Sequence, residues 1–204
     1  MLAIENDDVA RALVEVRKAY RLLYVYQCRV IDMMKAIAGG LGCQFYWQGF
    51  RAPRDEPLEK PIALLPMWIN CFLFLPEKQH HTALKKGDWM LSLRLISDTT
   101  FTPPDWDGDP DITKLPSFES AKSVLQFHVY LSLEDQQRDW NYGVWNSLGW
   151  PPIDEVHDFD HGIRTYAQVF DLAALATKAA IDAAVSEFKE QLRVKLGIDN
   201  FSEP

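Results

Sequence analysis

The stretch Trp89-Met-Leu-Ser-Leu-Arg-Leu-Ile96 decides the fold. Successive side chains of a β-strand point to opposite faces, so this stretch divides into two sets. One side is wholly apolar: Trp89, Leu91, Leu93 and Leu95. The other side is mixed: Met90, Ser92, Arg94 and Ile96. This division is expected in an antiparallel sheet that packs helices on one face and leaves the other face wet or open to a ligand.

Three further segments show the same alternation. Val124 to Leu133 puts only apolar residues on one side and places Gln126, His128, Tyr130 and Ser132 on the other. Trp68 to Leu75 sets Ile69, Cys71, Leu73 and Leu75 against Trp68, Asn70, Phe72 and Phe74. Cys43 to Phe50 sets Phe45 and Trp47 against Gln44, Tyr46 and Gln48. Together these segments predict an antiparallel, meander-like sheet of four to five strands within residues 43–133.

A long helix is predicted at each end of the chain. Asn6 or Asp7 suits a helix N-cap, and two glycines at 39 and 40 suit a helix stop, which places the first helix at 7–38. Its inner stripe is expected to hold Val9, Leu13, Val16, Tyr20, Leu23, Ile31 and Met34. The last helix is expected over 163–196, with an alanine-rich middle. The whole chain is thus predicted to be one α+β domain, 1–204, with the sheet region at 43–133 and an aromatic loop region at 134–162.

The two terminal helices are expected to pack together on the apolar face of the sheet. The run from Tyr20 to Tyr26 is apolar or aromatic nearly all round, and the alanine face of the last helix would let the two axes approach closely. Each helix would be ~45 Å long, whereas a nine-residue strand is only ~30 Å. The helices should therefore overhang the sheet, and their ends need a cover. Either the long loops or a second copy of the chain would provide it, and the second copy would give a homodimer through the helix layer.

Composition restricts the classes of partner and compartment. The 204 residues carry a formal charge of -8, which argues against nucleic acid, because that binding depends first on clustered Lys and Arg. No apolar run reaches the ~20 residues that span a bilayer, and the acidic N-terminus does not resemble a secretory signal. Cys28, Cys43 and Cys71 are odd in number and lie in apolar segments. They are expected to be buried free thiols in a reducing cytoplasm.

Two acidic segments invite a metal-binding interpretation. Asp105 to Asp111 has the spacing of a calcium loop only in part, because its glycine is the fourth residue and Pro116 stands where the bidentate glutamate belongs. His157 and His161 would share one face if their segment were helical, and Asp158 would add a carboxylate. The same segment also suits the acidic entry to the last helix. We therefore expect no metal and no cofactor.

The segment 134–152 is dense in aromatic residues, including Trp140, Tyr142, Trp145 and Trp150. Two interpretations remain open. The first is a structured loop that packs its indoles over the sheet, as expected for a residue type that is usually buried. The second is a recognition surface, because large rings provide much contact area at low entropic cost.

The expected function site is the mixed face of the sheet with its neighbouring loop: Tyr46, Asn70, Arg94, His128, Tyr130 and Trp145. No nucleophile elbow, Walker loop, His-Glu-x-x-His or Cys-x-x-Cys motif occurs, which favours a non-enzymatic binding or regulatory protein for a protein partner or small ligand. An alternative is an enzyme for a small anionic substrate, in which Arg94 holds the anion and His128 transfers a proton. A third alternative is a metal-dependent activity at His157 and His161.

Overall fold

The computed structural model describes residues 6–49, 69–77, 79, 83–101 and 115–201. They form an α+β fold in which one sheet is packed on both of its faces. Helix α1 spans Asn6–Gly40 and helix α2 spans Lys178–Leu196. The strands are β1 (Cys43–Gly49), β2 (Ile69–Pro76), β3 (Trp89–Ile96), β4 (Val124–Ser132), β5 (Val156–Phe159) and β6 (Ile163–Asp171). The acidic segment Asp105 to Asp111 lies outside the described residues.

The sheet of the described residues has six strands, in the order β1-β2-β3-β4-β6-β5. Every neighbouring pair is antiparallel. The predicted antiparallel α+β fold is therefore confirmed, with six strands instead of four or five. The two additional strands form a hairpin after the aromatic segment, and β6 pairs with β4, so the short β5 lies at the edge.

The predicted start of the last helix at residue 163 is wrong. Ile163–Asp171 is strand β6, a 3₁₀ turn covers Leu172–Leu175, and α2 begins only at Lys178. Thr177 caps α2 by accepting a hydrogen bond from the backbone N–H of Ala180 at 3.2 Å. Gly197, with a φ of 70°, ends the helix in the left-handed conformation that glycine adopts without strain.

Helices α1 and α2 pack on the aliphatic face of β3 and β4. That core combines residues of both helices with those of the two central strands: Val30, Met34, Ile37, Val185, Phe188, Leu192, Leu91, Leu93, Leu125 and Phe127. Phe188 lies at its centre, with ring centroids 5.2 Å from Phe127 and 6.1 Å from Tyr166. The two helices meet near the end of α1, where a Cβ added at Gly40 would approach Val185 to 3.1 Å.

The expected contact between the middle of α1 and the alanines of α2 is wrong. Tyr20, Leu22 and Tyr24 are 62%, 72% and 69% exposed, so the bulky run of α1 does not lie against α2. Among the described residues, only the part of α1 from Tyr26 onward packs on the core, because the sheet is much shorter than the helix. Within the described residues, no helix is long and apolar enough to span a bilayer.

Candidate functional site

The second face of the sheet, opposite the helices, holds the polar residues of β3 and β4. Ser92 lies opposite His128 in the strand register, and Arg94 lies opposite Gln126. Met90 lies opposite Tyr130, and both belong to a second buried cluster, separate from the helix-side core. The structure thus brings Arg94, His128 and Tyr130 to one face of the sheet.

Strand β2 faces the other way from the prediction. Phe72 and Phe74 pack in the helix-side core, whereas Cys71, Leu73 and Leu75 belong to the cluster on the second face. Asn70, which alternates with Phe72, lines a cavity of about 340 Å³ beneath α1 together with Gln27 and Leu95. The prediction that Asn70 shares a surface with Arg94 is therefore wrong.

A β-bulge brings Tyr46 to the second face. The register of β1 against β2 shifts between Phe45 and Trp47, so one extra residue is inserted at Tyr46. Such a bulge breaks the strict alternation of side chains. Tyr46 and Trp47 consequently both pack at the second-face cluster, although the alternation predicted opposite sides for them.

The aromatic segment covers the second face. Residues Trp140–Trp145 form a π-helical turn, and the Asp139 carboxylate caps it by accepting a hydrogen bond from the Tyr142 backbone N–H at 2.6 Å. Trp140 and Trp145 are 0% and 3% exposed and pack within the second-face cluster. For these two indoles the packing interpretation is confirmed. The Trp145 ring also makes edge contacts with Trp47 at 5.5 Å and with Trp150 at 5.9 Å.

Arg94, Gln126, His128 and Trp150 form a polar cluster at the margin of this cover. The Arg94 guanidinium carbon lies 4.1 Å from the centroid of the Trp150 ring, close enough for a cation–π contact. Arg94 Nη1 donates to Gln126 Oε1 at 3.2 Å, and the His128 Nε2 atom lies 3.2 Å from the same oxygen. The His128 and Trp150 ring centroids are 5.4 Å apart. Trp150 therefore contacts both the buried His128 ring and the Arg94 guanidinium.

The hydrogen bonds of Gln126 decide the tautomer of His128. Arg94 can only donate, so the Gln126 Oε1 atom accepts, and the His128 Nε2 atom that faces this oxygen carries the proton. The other ring nitrogen, Nδ1, is buried without a hydrogen-bond partner among the described residues, as is Ser92 Oγ on the opposite strand. Unsatisfied buried polar atoms of this kind are costly and uncommon in folded proteins.

Burial governs the chemistry of His128. Its side chain is 1% exposed, and desolvation, reinforced by the positive charge of Arg94, lowers its pKa from 6.5 to about 3. A general acid or base works best when its pKa lies near the operating pH. At neutral pH this imidazole is uncharged and holds no proton that it can readily release, so it is suited to packing and hydrogen bonding.

The outer rim of the aromatic segment is accessible. Tyr142 is 75% exposed, while Tyr46, Leu148 and Trp150 are partly buried. Partial burial raises the pKa of Tyr46, and the nearby Asp139 carboxylate adds to the increase. We call Tyr46, Tyr142, Leu148 and Trp150, together with Arg94, the aromatic rim.

Comparison with known proteins identifies a family. The model of the PM0109 family matches residues 6–197. The chain belongs to the PM0109 family. It is also 23% identical over 209 residues to the uncharacterized protein PM0109 of Pasteurella multocida (strain Pm70), covering 92% of this chain and 96% of that protein. No solved structure matches the chain. Neither the name of the family nor that of this relative refers to an activity.

The metal candidates of this family member lie in the β5–β6 hairpin. His157 is on strand β5 and His161 is in the turn, with a φ of 67°, so the helical spacing that would join them is absent. Arg164 engages both oxygens of Asp158, at 2.7 and 2.8 Å, and thereby lowers the pKa of that carboxyl. The described residues contain no group of three His, Cys, Asp or Glu that is able to hold a metal ion. The helical premise of this candidate site was wrong.

Two further clefts lie away from the polar cluster. A cleft of about 930 Å³ lies between α1 and the start of α2, bordered by Arg29, Met33 and Lys178. Another, of about 290 Å³, lies beside Gly197. Neither of them is lined by Arg94, His128 or Tyr130, and the cavity beside Asn70 is not lined by them either.

Sequence reasoning missed Gln126 and Trp150 as members of the cluster. Gln126 stands two residues before His128, so the alternation of β4 was already sufficient to place both on one face. For Trp150 no sequence signal was available. Its position depends on how the chain turns after the π-helical segment, which is a tertiary property.

Proposed function

We propose that this protein is a non-enzymatic binding protein that recognises a protein partner through the aromatic rim. The observation that carries the proposal is the burial of His128 beneath Trp150, with a pKa of about 3. That burial disfavours proton transfer at this position, whereas Trp150 and Arg94, stacked at 4.1 Å, provide a preorganised pair of the residue types that dominate binding interfaces.

A protein partner is favoured over a small ligand by the shape of this surface. Small ligands bind in concave pockets of ~300–1,000 Å³, and the two described cavities in that range, of about 340 and 930 Å³, are not lined by Arg94, His128 or Tyr130. The exposed ring of Tyr142 and the partly exposed Trp150 are instead arranged around a largely filled face. The formal charge of -8 favours a partner with a basic surface.

The enzyme alternative ranks below this proposal. It requires a substrate to reach His128, which is 1% exposed, and a large rise in the pKa of the imidazole. The metal alternative ranks lower still, because Arg164 already occupies the Asp158 carboxylate. We also propose a reducing, cytoplasmic location, supported by three free cysteines of which two are buried.

A site-specific photo-crosslinker tests the proposal. The crosslinking amino acid p-benzoylphenylalanine replaces Tyr142 in one variant and Phe118 in the other, because both are exposed aromatic residues, at 75% and 82%. In the cells that naturally make the protein, a discrete protein adduct is expected from position 142 and not from position 118. Adding Arg94→Ala to the Tyr142 variant should remove the adduct without changing the melting temperature by more than a few degrees. Equal adducts from both positions, or none from position 142, would refute recognition at the rim.

A further inference from the structure

Helix α1 carries a heptad pattern with a single polar position, and among the described residues only its C-terminal part, from Tyr26 onward, packs on the core. The spacing alternates between four and three residues through a single seam: Val9, Leu13, Val16, Tyr20, Leu23, Gln27, Val30, Met34 and Ile37. This period of 3.5 residues is the pattern of helices that pack side by side along their length. Nine successive positions fit it, and only Gln27 is polar.

The seam changes its environment near Val30. Val30, Met34 and Ile37 are 4%, 2% and 0% exposed and pack on the sheet. Val9, Leu13, Val16 and Tyr20, on the same line of the same helix, are 43%, 50%, 49% and 62% exposed. Tyr26 packs against the core and donates a hydrogen bond to Ser97 at 3.2 Å. Residues 6–25 thus form an arm of ~30 Å whose apolar stripe continues the stripe of the core.

We infer that a second copy of this chain covers the arm, through an antiparallel two-helix coiled coil along Val9 to Leu23. Three of the positions that flank the seam are alanines, at 10, 12 and 19, so two arms are able to approach closely. More than two heptads of contact would bury an apolar stripe that is unusually large for the surface of a monomer. The inference does not rest on the proposed function, because the arm and the aromatic rim belong to different elements.

The sheet determines the orientation of the pair. In a parallel pair, the two sheets would both occupy the space between the helices, because each sheet packs on the seam from Val30 onward. In an antiparallel pair the two sheets lie at opposite ends of the coiled coil. The register that we infer puts Val9 beside the partner's Tyr20 and Leu13 beside the partner's Val16. The start of each helix then lies opposite the partner's Leu23 and does not reach the part of the partner helix that packs on its sheet. That register also places Arg17 beside the partner's Ala10 and away from a like charge.

The basic charge of the arm makes an anionic membrane and a nucleic acid the alternatives to a second copy of the chain. Between Val9 and Val25 it carries four basic residues and one acidic residue, on a chain whose formal charge is -8. An anionic membrane or a nucleic acid would bind such a basic face in a salt-sensitive way. A coiled coil buries the apolar seam instead and leaves the basic residues in solvent, where salt only reduces their mutual repulsion.

Two matched substitutions test the seam. Val16 lies on it and Val25 lies on the opposite side of α1, yet they are 49% and 51% exposed, so Val16→Glu and Val25→Glu introduce the same charge at similar accessibility. The native chain is expected to show twice the 23.5 kDa of one chain in light scattering at micromolar concentration, also in ~0.5 M salt. Val16→Glu should be monomeric with unchanged circular dichroism, and Val25→Glu should stay dimeric.

Disulfide trapping tests the register. In a Cys28→Ala background, Val9→Cys and Tyr20→Cys chains should form a covalent dimer when mixed, and neither should do so alone. A dimer of Val9→Cys chains alone would mean a parallel pair and would overturn the inference. Three other outcomes would overturn the inference as well. They are a native chain that is monomeric up to ~100 μM, a loss of the dimer in both glutamate variants, and a native dimer that dissociates in salt.

Discussion

His128 makes the stability of the protein depend on pH in a calculable way. The folded protein holds this imidazole neutral with a pKa of about 3, whereas the unfolded chain protonates it near 6.5. The unfolded state therefore binds the proton first as the pH falls. The contribution of neutral His128 to the free energy of unfolding is fully present above pH 6.5 and is lost progressively as the pH falls toward 3. Linkage gives a loss of ~2 kcal/mol at pH 5 and ~3 kcal/mol at pH 4, relative to neutral pH.

Urea unfolding of His128→Gln against the native chain measures this loss. Carboxyl groups also titrate over this pH range, so the informative quantity is the difference in urea midpoint between the two proteins. With a slope of ~2 kcal/mol per molar urea, the native midpoint should fall by ~1 M more than the variant midpoint between pH 7.5 and pH 5. Glutamine keeps an amide N–H for the Gln126 oxygen, which lies 3.2 Å from His128 Nε2.

His157→Gln is the matched control, because it removes an exposed imidazole from the same sheet. Its urea midpoint is expected to track that of the native chain. A difference between His128→Gln and the native chain that is the same at both pH values would refute the burial of a neutral His128. It would also restore His128 as a candidate acid or base.

Three further predictions concern single positions. Gly162→Ala should lower the free energy of unfolding by ~1–2 kcal/mol, because φ at this position is 67° and a Cβ would approach the Glu134 carboxylate to 2.8 Å. Gly149→Ala is the control in the same urea titration. It should be neutral, because its Cβ would meet nothing within 4 Å. Phe188→Ala should cost ~3–5 kcal/mol by urea unfolding, because its ring is 0% exposed, and a loss below ~1 kcal/mol would contradict that packing. Cys28 is exposed and the other two cysteines are buried, so a maleimide should add once to the folded protein and three times in urea, as counted by mass spectrometry.

The sequence predicted the strands better than the direction in which they face. The Leu-rich side of β3 packs on the helices as its alternation indicated, because the other side contains Ser92 and Arg94. Strand β2 is apolar on both sides, with Leu73 on one and Phe74 on the other, and both side chains are buried in different cores. Periodicity identifies such a strand but does not determine its orientation. The misplaced Asn70 follows from this ambiguity.

The end of the chain shows why propensity alone was insufficient. The alanines that follow Asp171 resemble the interior of a helix, and they led to a helix start at residue 163. The segment from Ile163 is instead rich in β-branched and aromatic residues, and it follows a turn in which His161 and Gly162 both have positive φ. That turn indicates a hairpin, and its second strand, β6, occupies the residues that were assigned to the start of the last helix. Periodicity also predicted one continuous inner stripe for α1, whereas in the structure Val30, Met34 and Ile37 pack on the sheet and Val9, Leu13 and Val16 are exposed.

The two cores of the sheet draw on different parts of the chain, which bears on how the protein is made. The cluster beneath the aromatic segment extends no further than Ile163, whereas the helix-side core requires Phe188 and Leu192 of α2. A nascent chain emerges from the ribosome with its N-terminus first. One side of the sheet is thus able to consolidate during translation while the other still exposes leucines and phenylalanines. Pulse proteolysis of stalled chains that end before and after α2 would show that interval, in which a chaperone or a neighbouring nascent chain has access to the unfinished side.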